Sequence, residues 1–286
     1  MKILLTGYNG LIGSQVHRIL VENGYEVYCL GLSEPKSAYI VFYQVDLSSD
    51  WNIDEIKINV DMVIHLAQSP YFRNFPTQAS HIFNVNSYTS LKLCDYGIRA
   101  QIKKIIFTSS AGIYGSQQYN LNETKEIVYN SNLGFYLASK HIAECLILNY
   151  NSFFNTVILR PFFVYGKEQK KDMLIPRLIE NIKQCETITL KGNDGIWINP
   201  AHVSDAAKAI YKCINLAGNE IINIAGPKVH SLREICEIIG KQLNMEPKFL
   251  TQESESPEKL IGDIAKMKKL LIEPTVSFEE GIKSFF

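Results

Sequence analysis

The chain carries no surplus of either charge, no paired cysteines and no apolar run long enough to cross a bilayer. Its 29 lysines and arginines match 29 aspartates and glutamates. That balance lacks the basic footprint expected of a protein that binds nucleic acid or an anionic membrane. The six cysteines, at 29, 94, 145, 185, 213 and 236, form no C-x-x-C pair and no secretory disulfide framework. Free thiols in a reducing compartment are expected. The histidines have no ligand spacing with one another or with the cysteines, so no metal site is expected. No run approaches the roughly 20 apolar residues of a membrane span. Met1 leads directly into a strand pattern without a signal peptide, which makes the cytoplasm the expected location. Internal repeats and low-complexity linkers are also missing.

What is present is an alternation. Lys2–Thr6, Glu26–Leu30, Ile40–Val45, Met62–Leu66, Lys104–Thr108 and Thr156–Arg160 read as strands. Leu11–Asn23, His81–Ala100 and Gly134–Tyr150 read as helices between them. Strands alternating with helices predict an α/β fold of the Rossmann type, a doubly wound parallel sheet covered on both faces. After Gly166 the pattern loosens. Leu174–Gln184 and Val203–Leu216 read as helices, Ser231 caps one over Leu232–Leu243, and Ser277 caps a last one through Lys283. These segments predict a dinucleotide-binding domain over residues 1–166 and a smaller α/β substrate-binding subdomain over 167–286.

Two motifs carry the chemistry. Thr6–Gly13 reads TGYNGLIG. Gly7 permits a tight turn off the strand, Gly10 lets the backbone approach a pyrophosphate, and Gly13 allows close helix packing. The helix starting at Leu11 and Ile12 points free N–H groups at the phosphates. Further along, Tyr136 and Lys140 of YLASK lie four apart and share a helix face. An ammonium beside a phenol lowers the phenol's pKa, so Tyr136 is expected to work as a base near neutrality. The serines after Thr108 sit at the carboxyl end of strand five, where Ser110 would orient the reacting oxygen. Asp46 reads either as an acceptor for adenine or as a turn aspartate. His65-Leu66-Ala67 ends strand four with small residues over which a cofactor can lie. At the end of strand two, where a carboxylate would bind the adenosine ribose of NAD, stand Gly31, Leu32 and Ser33. NAD and NADP both stay as alternatives, and Lys36 reads as a solvated lysine or a contact for a 2′-phosphate.

Together these segments resemble the extended short-chain dehydrogenases/reductases, the NAD-dependent epimerase/dehydratase group. The resemblance runs through TGYNGLIG, VDL, VIHLA, FNVNS, FTSSAGIYG, YLASK, LRPFFVYG, NPAHVSDAAKAI and INIAG to the C-terminal SFEEGI. It implies a pyrophosphate loop at Gly7, Asn9, Gly10 and Gly13, and adenine contacts at Asp46 and Leu47. It implies further cofactor contacts at Leu66, Ala67, Thr108 and Pro161, and a catalytic trio of Ser110, Tyr136 and Lys140. Asn86 resembles the asparagine that buttresses the active-site strand, and Arg160 with Pro161 opens a segment of substrate and cofactor contacts. A homodimer through the helices His81–Ala100 and Gly134–Tyr150 is also implied.

The departures narrow the expectation. Family dehydratases carry Asp-Glu where this chain has Ala111 and Gly112, which argues against sugar 4,6-dehydration. Nucleotide-sugar epimerases place asparagine at Phe163 and arginine at Ile198. Arginine is also absent from Pro247 to Ala265, where a second diphosphate clamp is expected. Arg177 reads as a replacement for the clamp or as a surface arginine. The resemblance therefore implies NAD(P)-dependent hydride transfer on a sugar-like alcohol or ketone, most simply a nucleotide-sugar 4-epimerase or 4-keto reductase. The alternatives are a reductase of a non-nucleotide ketone and a cofactor-binding protein without turnover.

Overall fold

The computed structural model describes residues 1–36, 38–115, 120–127, 133–252 and 257–286. The N-terminal half alternates β1 (Lys2–Thr6), α1 (Leu11–Glu22), β2 (Glu26–Gly31), β3 (Val41–Gln44), β4 (Met62–His65), α2 (Ala79–Phe83), α3 (Thr89–Ala100), β5 (Lys104–Thr108), α4 (Phe135–Leu148) and β6 (Asn155–Pro161). Then follow β7 (Val164–Tyr165), α5 (Leu174–Lys183), β8 (Thr187–Lys191), β9 (Trp197–Ile198), β10 (Ala201–His202), α6 (Val203–Lys212) and β11 (Glu220–Ile224). The chain ends in β12 (His230–Ser231), α7 (Leu232–Leu243), β13 (Lys248–Gln252), β14 (Lys259–Leu260), α8 (Ala265–Leu270) and α9 (Phe278–Gly281).

A seven-stranded sheet runs in the order β11-β6-β5-β4-β1-β2-β3. The pairings of β1 with β2 and β4, β2 with β3, β4 with β5 and β5 with β6 are all parallel. Order and direction are those of a Rossmann-type sheet, with the reversal beside β1 where such folds bind ligands. The central strands are buried along nearly their whole length, as for Lys2–Thr6 and Met62–His65. That is why they read as continuous apolar runs rather than alternating ones. Helix α1 buries Gly13, Val16, His17 and Leu20, the i, i+3, i+4, i+7 stripe of an amphipathic helix.

The chain divides into two compact units. One comprises Met1–Ile113, Ile127–Arg160 and Ala207–Ile222, and the other Tyr114–Glu126, Pro161–Ala206 and Asn223–Phe286. The chain passes between them several times, whereas the sequence reading draws one boundary after residue 166. The first unit has its core around Leu4, Leu30, Val63, Ile105 and Phe107. The second packs α5 and α7 over β8, with Ile175, Leu178, Ile179, Ile235 and Ile239 inside. It also holds a parallel β8–β13 pair that alternates exposed and buried residues along Thr187–Lys191.

Several elements differ from expectation, each for a local reason. The helix expected over His81–Ala100 begins at Ala79 and is broken by a π-helical turn at Asn84–Tyr88. The helix expected over Val203–Leu216 is α-helical only to Lys212 and tightens into a 3₁₀ turn at Cys213–Asn215. There the buried Lys104 ammonium donates to the carbonyls of Cys213, Ile214 and Leu216 at 2.6–2.7 Å. Strands β8, β11 and β13 fall outside the sequence-predicted strands. At the C-terminus Ser277 caps as expected, but α9 is short and continues as a 3₁₀ turn over Ile282–Phe285. No described helix is long and apolar enough to cross a membrane.

Candidate active site

The glycine turn is shaped by steric necessity at two of its three glycines. Gly7 adopts a φ of +73°, and a Cβ there would lie 2.5 Å from the Leu66 carbonyl carbon. A Cβ on Gly13 would lie 1.9 Å from the Gly7 oxygen, so the first turn of α1 rests directly on the loop. Gly10 is different. Its Cβ would meet only the Gly7 oxygen, at 3.2 Å, and the residue is exposed. Protein packing therefore explains Gly7 and Gly13, while the open side of Gly10 is the approach a pyrophosphate needs. Leu11, Ile12 and Gly13 form the first turn of α1, whose N–H groups lack intrahelical acceptors.

A groove of about 360 Å³ opens here, lined by Gly7, Asn9, Gly10, Asp46, Leu47, Leu66 and Ala67 among others. Seven of the residues expected to hold a dinucleotide thus face one cleft. Asp46 is both things its sequence allowed. It lines the groove, and its carboxylate accepts from the Ser48 N–H and hydroxyl, which hold its pKa down. Asn9 lines the groove too, but its amide is turned toward the segment after β2, donating to the Glu34 carbonyl at 2.9 Å and Ser33 Oγ at 3.2 Å. The missing ribose carboxylate has a structural counterpart. A Cβ on Gly31 would lie 2.8 Å from the Tyr8 hydroxyl, which donates to the Ser33 carbonyl. The tyrosine ring fills the space a side chain at Gly31 would need.

Ser110 follows β5, and Tyr136 and Lys140 lie on α4, all within the same unit. Lys140 is buried, and its Nζ donates to the Thr108 carbonyl at 3.0 Å and the Ala67 carbonyl at 3.5 Å. It also sits 4.9 Å above the Phe107 ring. Burial pulls its pKa down to about 7, with Glu144 one turn along pushing it back up. Tyr136 is half-buried, and its hydroxyl donates to Gln68 Oε1 at 3.0 Å. Here the sequence expectation is corrected. The phenol's pKa is pushed up by burial, with a hydrogen bond to Ser110 acting downward. The reason is geometric: Lys140 aims its ammonium at backbone carbonyls, not at the phenol, and burial weakens its charge near neutrality.

A hydrogen-bond chain holds these elements in register. The Ser69 N–H donates to Asn86 Oδ1 at 3.0 Å, Asn86 Nδ2 to Ser139 Oγ at 2.9 Å, and Ser139 Oγ to the Tyr136 carbonyl at 2.7 Å. Asn86 lies in the π-helical turn, a distortion common at functional sites. It ties the segment after β4 to the tyrosine helix, where the resemblance implied support of a strand. His65 is fully buried, bonded to the Thr6 hydroxyl at 2.7 Å, and its pKa is lowered to about 3 by burial and then by Lys140. It is a neutral core histidine.

The remaining expected residues lie elsewhere. Arg160 forms a buried two-point pair with Glu144, Nη2 to Oε2 at 2.7 Å and Nε to Oε1 at 3.1 Å. Pro161, Phe163 and Arg177 belong to the second unit. Phe163 has a φ of +31° and packs on that unit's core, and Arg177 is exposed on α5. Ile198, where an epimerase clamp would carry arginine, is wholly buried in the same core. Sequence reading missed Gln68, Tyr8 and Glu144. Only Glu144 left a signal, four residues after Lys140 on one helix face.

A family model described as the NAD dependent epimerase/dehydratase family matches residues 3–225. The UDP-glucuronate 4-epimerase of Thermodesulfobacterium geofontis is 29% identical, over 98% of this chain and 93% of its own length. The GDP-6-deoxy-D-talose 4-dehydrogenase of Aggregatibacter actinomycetemcomitans is 27% identical, over 95% and 91%. Among solved structures, the UDP-glucuronic acid 4-epimerase from Bacillus cereus in complex with NAD superposes with a TM-score of 0.85 at 25% identity, covering 99% of this chain and 97% of that one. With the glycine turn, the parallel sheet and the Tyr-x-x-x-Lys helix all in place, the match over most of its length means that this chain belongs to the NAD dependent epimerase/dehydratase family.

Proposed function

We propose that the protein is an NAD(P)-dependent 4-epimerase of a nucleotide-activated hexose. The observation that carries the reading is the convergence of Ser110, Tyr136 and Lys140 in the unit whose groove is lined by the exposed Gly10, where a Cβ would meet the Gly7 oxygen alone. Gly7, Gly10, Gly13 and the first turn of α1 would hold the pyrophosphate, Asp46 and Leu47 the adenine, and Leu66, Ala67 and Thr108 the rest. When bound, the oxidised nicotinamide supplies a hydride acceptor and a positive charge. Tyr136 takes the proton of the sugar hydroxyl as the carbon is oxidised and returns it as the carbonyl is reduced. Ser110 donates to the reacting oxygen. Lys140, anchored by two carbonyls, has its third N–H left for the nicotinamide ribose.

Two features support epimerase over dehydratase. Ala111 and Gly112 offer no acid–base pair, and a Cβ on Gly112 would already press on Leu137 at 2.8 Å. The reductase reading draws on the 4-dehydrogenase relative. Incubation with UDP-glucose, UDP-glucuronate and GDP-linked 4-keto sugars separates the two. An epimerase interconverts 4-epimers with catalytic dinucleotide, whereas a reductase consumes reduced dinucleotide mole for mole. Failure of every nucleotide sugar to react would sink the proposal.

A cytoplasmic homodimer completes the reading. Phe83 and Ile142 are 40% and 39% exposed on α2 and α4, whereas Ile82 and Ile147 face inward. A monomer mass by light scattering at micromolar concentration would overturn the dimer.

A further inference from the structure

The hydroxyl that the proposed reaction depends on is already in contact with a side chain that no motif assigns. Tyr136 Oη donates to Gln68 Oε1 at 3.0 Å. The contact is more than a chance meeting of surface groups, because both partners are held from behind. Gln68 precedes Ser69, whose N–H enters the Asn86–Ser139 chain that ends on the Tyr136 carbonyl. Ser69, Asn86 and Ser139 are each at most 1% exposed. The backbone under Gln68 and the backbone under Tyr136 are therefore two ends of one buried network.

An amide has a property no other neutral side chain of that length has. Its oxygen accepts from a phenol, and after a half-turn of the terminal torsion its NH₂ donates to a phenolate. A phenol that loses and regains a proton in each turnover needs both. We infer that Gln68 is a positioning residue for Tyr136, accepting from the protonated phenol and donating to the phenolate, and so keeps one hydrogen-bond partner on the reactive oxygen through both halves of the reaction. The inference rests on the acid–base role proposed for Tyr136.

The other groups facing the phenol leave this task to Gln68. Ser110, two residues past β5, also hydrogen-bonds the phenol, but the proposed mechanism commits it to the substrate oxygen once substrate is bound. Lys140, one turn along α4, is directed to the Thr108 and Ala67 carbonyls. The Phe72 ring packs on Tyr136 at 5.4 Å, with the Arg73 guanidinium over the Phe72 ring at 4.9 Å. His65 on β4 is neutral and buried, and His81 on α2 is engaged with the Ser69 hydroxyl at 2.9 Å. Burial alone would leave the phenol reluctant to ionise. A hydrogen bond to an ionised group is about twice as strong as a neutral one. Gln68 therefore favours the phenolate on balance.

The test measures ionisation directly, without turnover. Biosynthetic 3-fluorotyrosine brings phenol titrations into an accessible range, and Tyr136→Phe identifies the resonance by its loss. The fluorine-19 midpoint of Tyr136 is read in wild type, Gln68→Leu and Gln68→Glu, with the melting temperature of each confirming the fold. Gln68→Leu, which can neither accept nor donate, should raise the midpoint by about one pH unit, and Gln68→Glu, which adds like charge, by about 1–3. In the epimerase assay Gln68→Leu should then lower kcat about tenfold near neutrality, recover as pH rises, and leave KM unchanged. An unchanged or lowered midpoint in Gln68→Leu overturns the inference even if epimerase activity is normal. A raised midpoint in a protein that turns over no nucleotide sugar sustains the Gln68 contact and sinks the epimerase reading instead.

Discussion

The two ends of the candidate site are built from different material. At the glycine turn the structure is backbone and space: Gly7 and Gly13 leave no room for a Cβ, and at the exposed Gly10 a Cβ would meet the Gly7 oxygen alone, at 3.2 Å. At the tyrosine end it is side chains packed into the interior. Lys140, Asn86, Ser139, Glu144 and Arg160 are all at most 4% exposed, and each is hydrogen-bonded. The first end should therefore break when atoms are added, and the second when atoms are removed or charges unmatched.

The largest expected effect is at the tyrosine end. Tyr136→Phe keeps the ring against Phe72 but deletes the proton carrier, and should cost roughly 10²- to 10⁴-fold in kcat. Dinucleotide affinity by calorimetry should barely change. Near-wild-type turnover would remove Tyr136 from the chemistry. Next comes the buried ion pair of Arg160 and Glu144. Glu144→Gln leaves the Arg160 guanidinium buried without its carboxylate, and breaking such a pair costs about 3–5 kcal/mol. Urea denaturation should show that loss, and an unchanged midpoint would mean the pair is structurally idle.

The glycine end should behave in the opposite way. Gly10→Val adds atoms on the exposed side of the turn, with one tight contact to the Gly7 oxygen at 3.2 Å, so stability should fall less than for Gly13→Ala while dinucleotide affinity falls by roughly 10- to 100-fold, the scale of one or more lost hydrogen bonds to a charged group. Gly13→Ala forces a Cβ into the Gly7 carbonyl and should lower the melting temperature before any ligand is added. Equal affinity for Gly10→Val and wild type would undo the contrast.

The smallest effect is a slope. Burial lowers Lys140 to about 7, below its unfolded value, so the folded state holds fewer protons between those pKa values. Its burial penalty is complete below about pH 7 and is relieved as pH rises toward ~10.4, the unperturbed lysine value. Stability should therefore climb with pH across that window, and Lys140→Met should flatten the climb. Parallel pH profiles of the two urea midpoints would show that Lys140 stays charged when buried.

The sequence by itself determined the order of strands and helices through Thr108, the glycine turn, and the shared helix face of Tyr136 and Lys140. These are local quantities: burial period, backbone sterics and spacing within one helix. It also flagged what was missing, namely a carboxylate among Gly31, Leu32 and Ser33 and, through the resemblance, an arginine at Ile198. Only the tertiary structure showed what surrounds these positions. The Tyr8 hydroxyl crowds Gly31, and Ile198 is core. The same holds for the 3₁₀ turn drawn tight by Lys104, the π-helical turn that carries Asn86, and the contact of Gln68 with Tyr136 across 68 positions. Strands of two residues, such as β7 and β9, are too short for periodicity to speak. The direction of the Tyr136 shift belongs to the same class. Four residues of helix bring a lysine to the same face, but where its ammonium points is set by two carbonyls, one just past β4 and one at the end of β5.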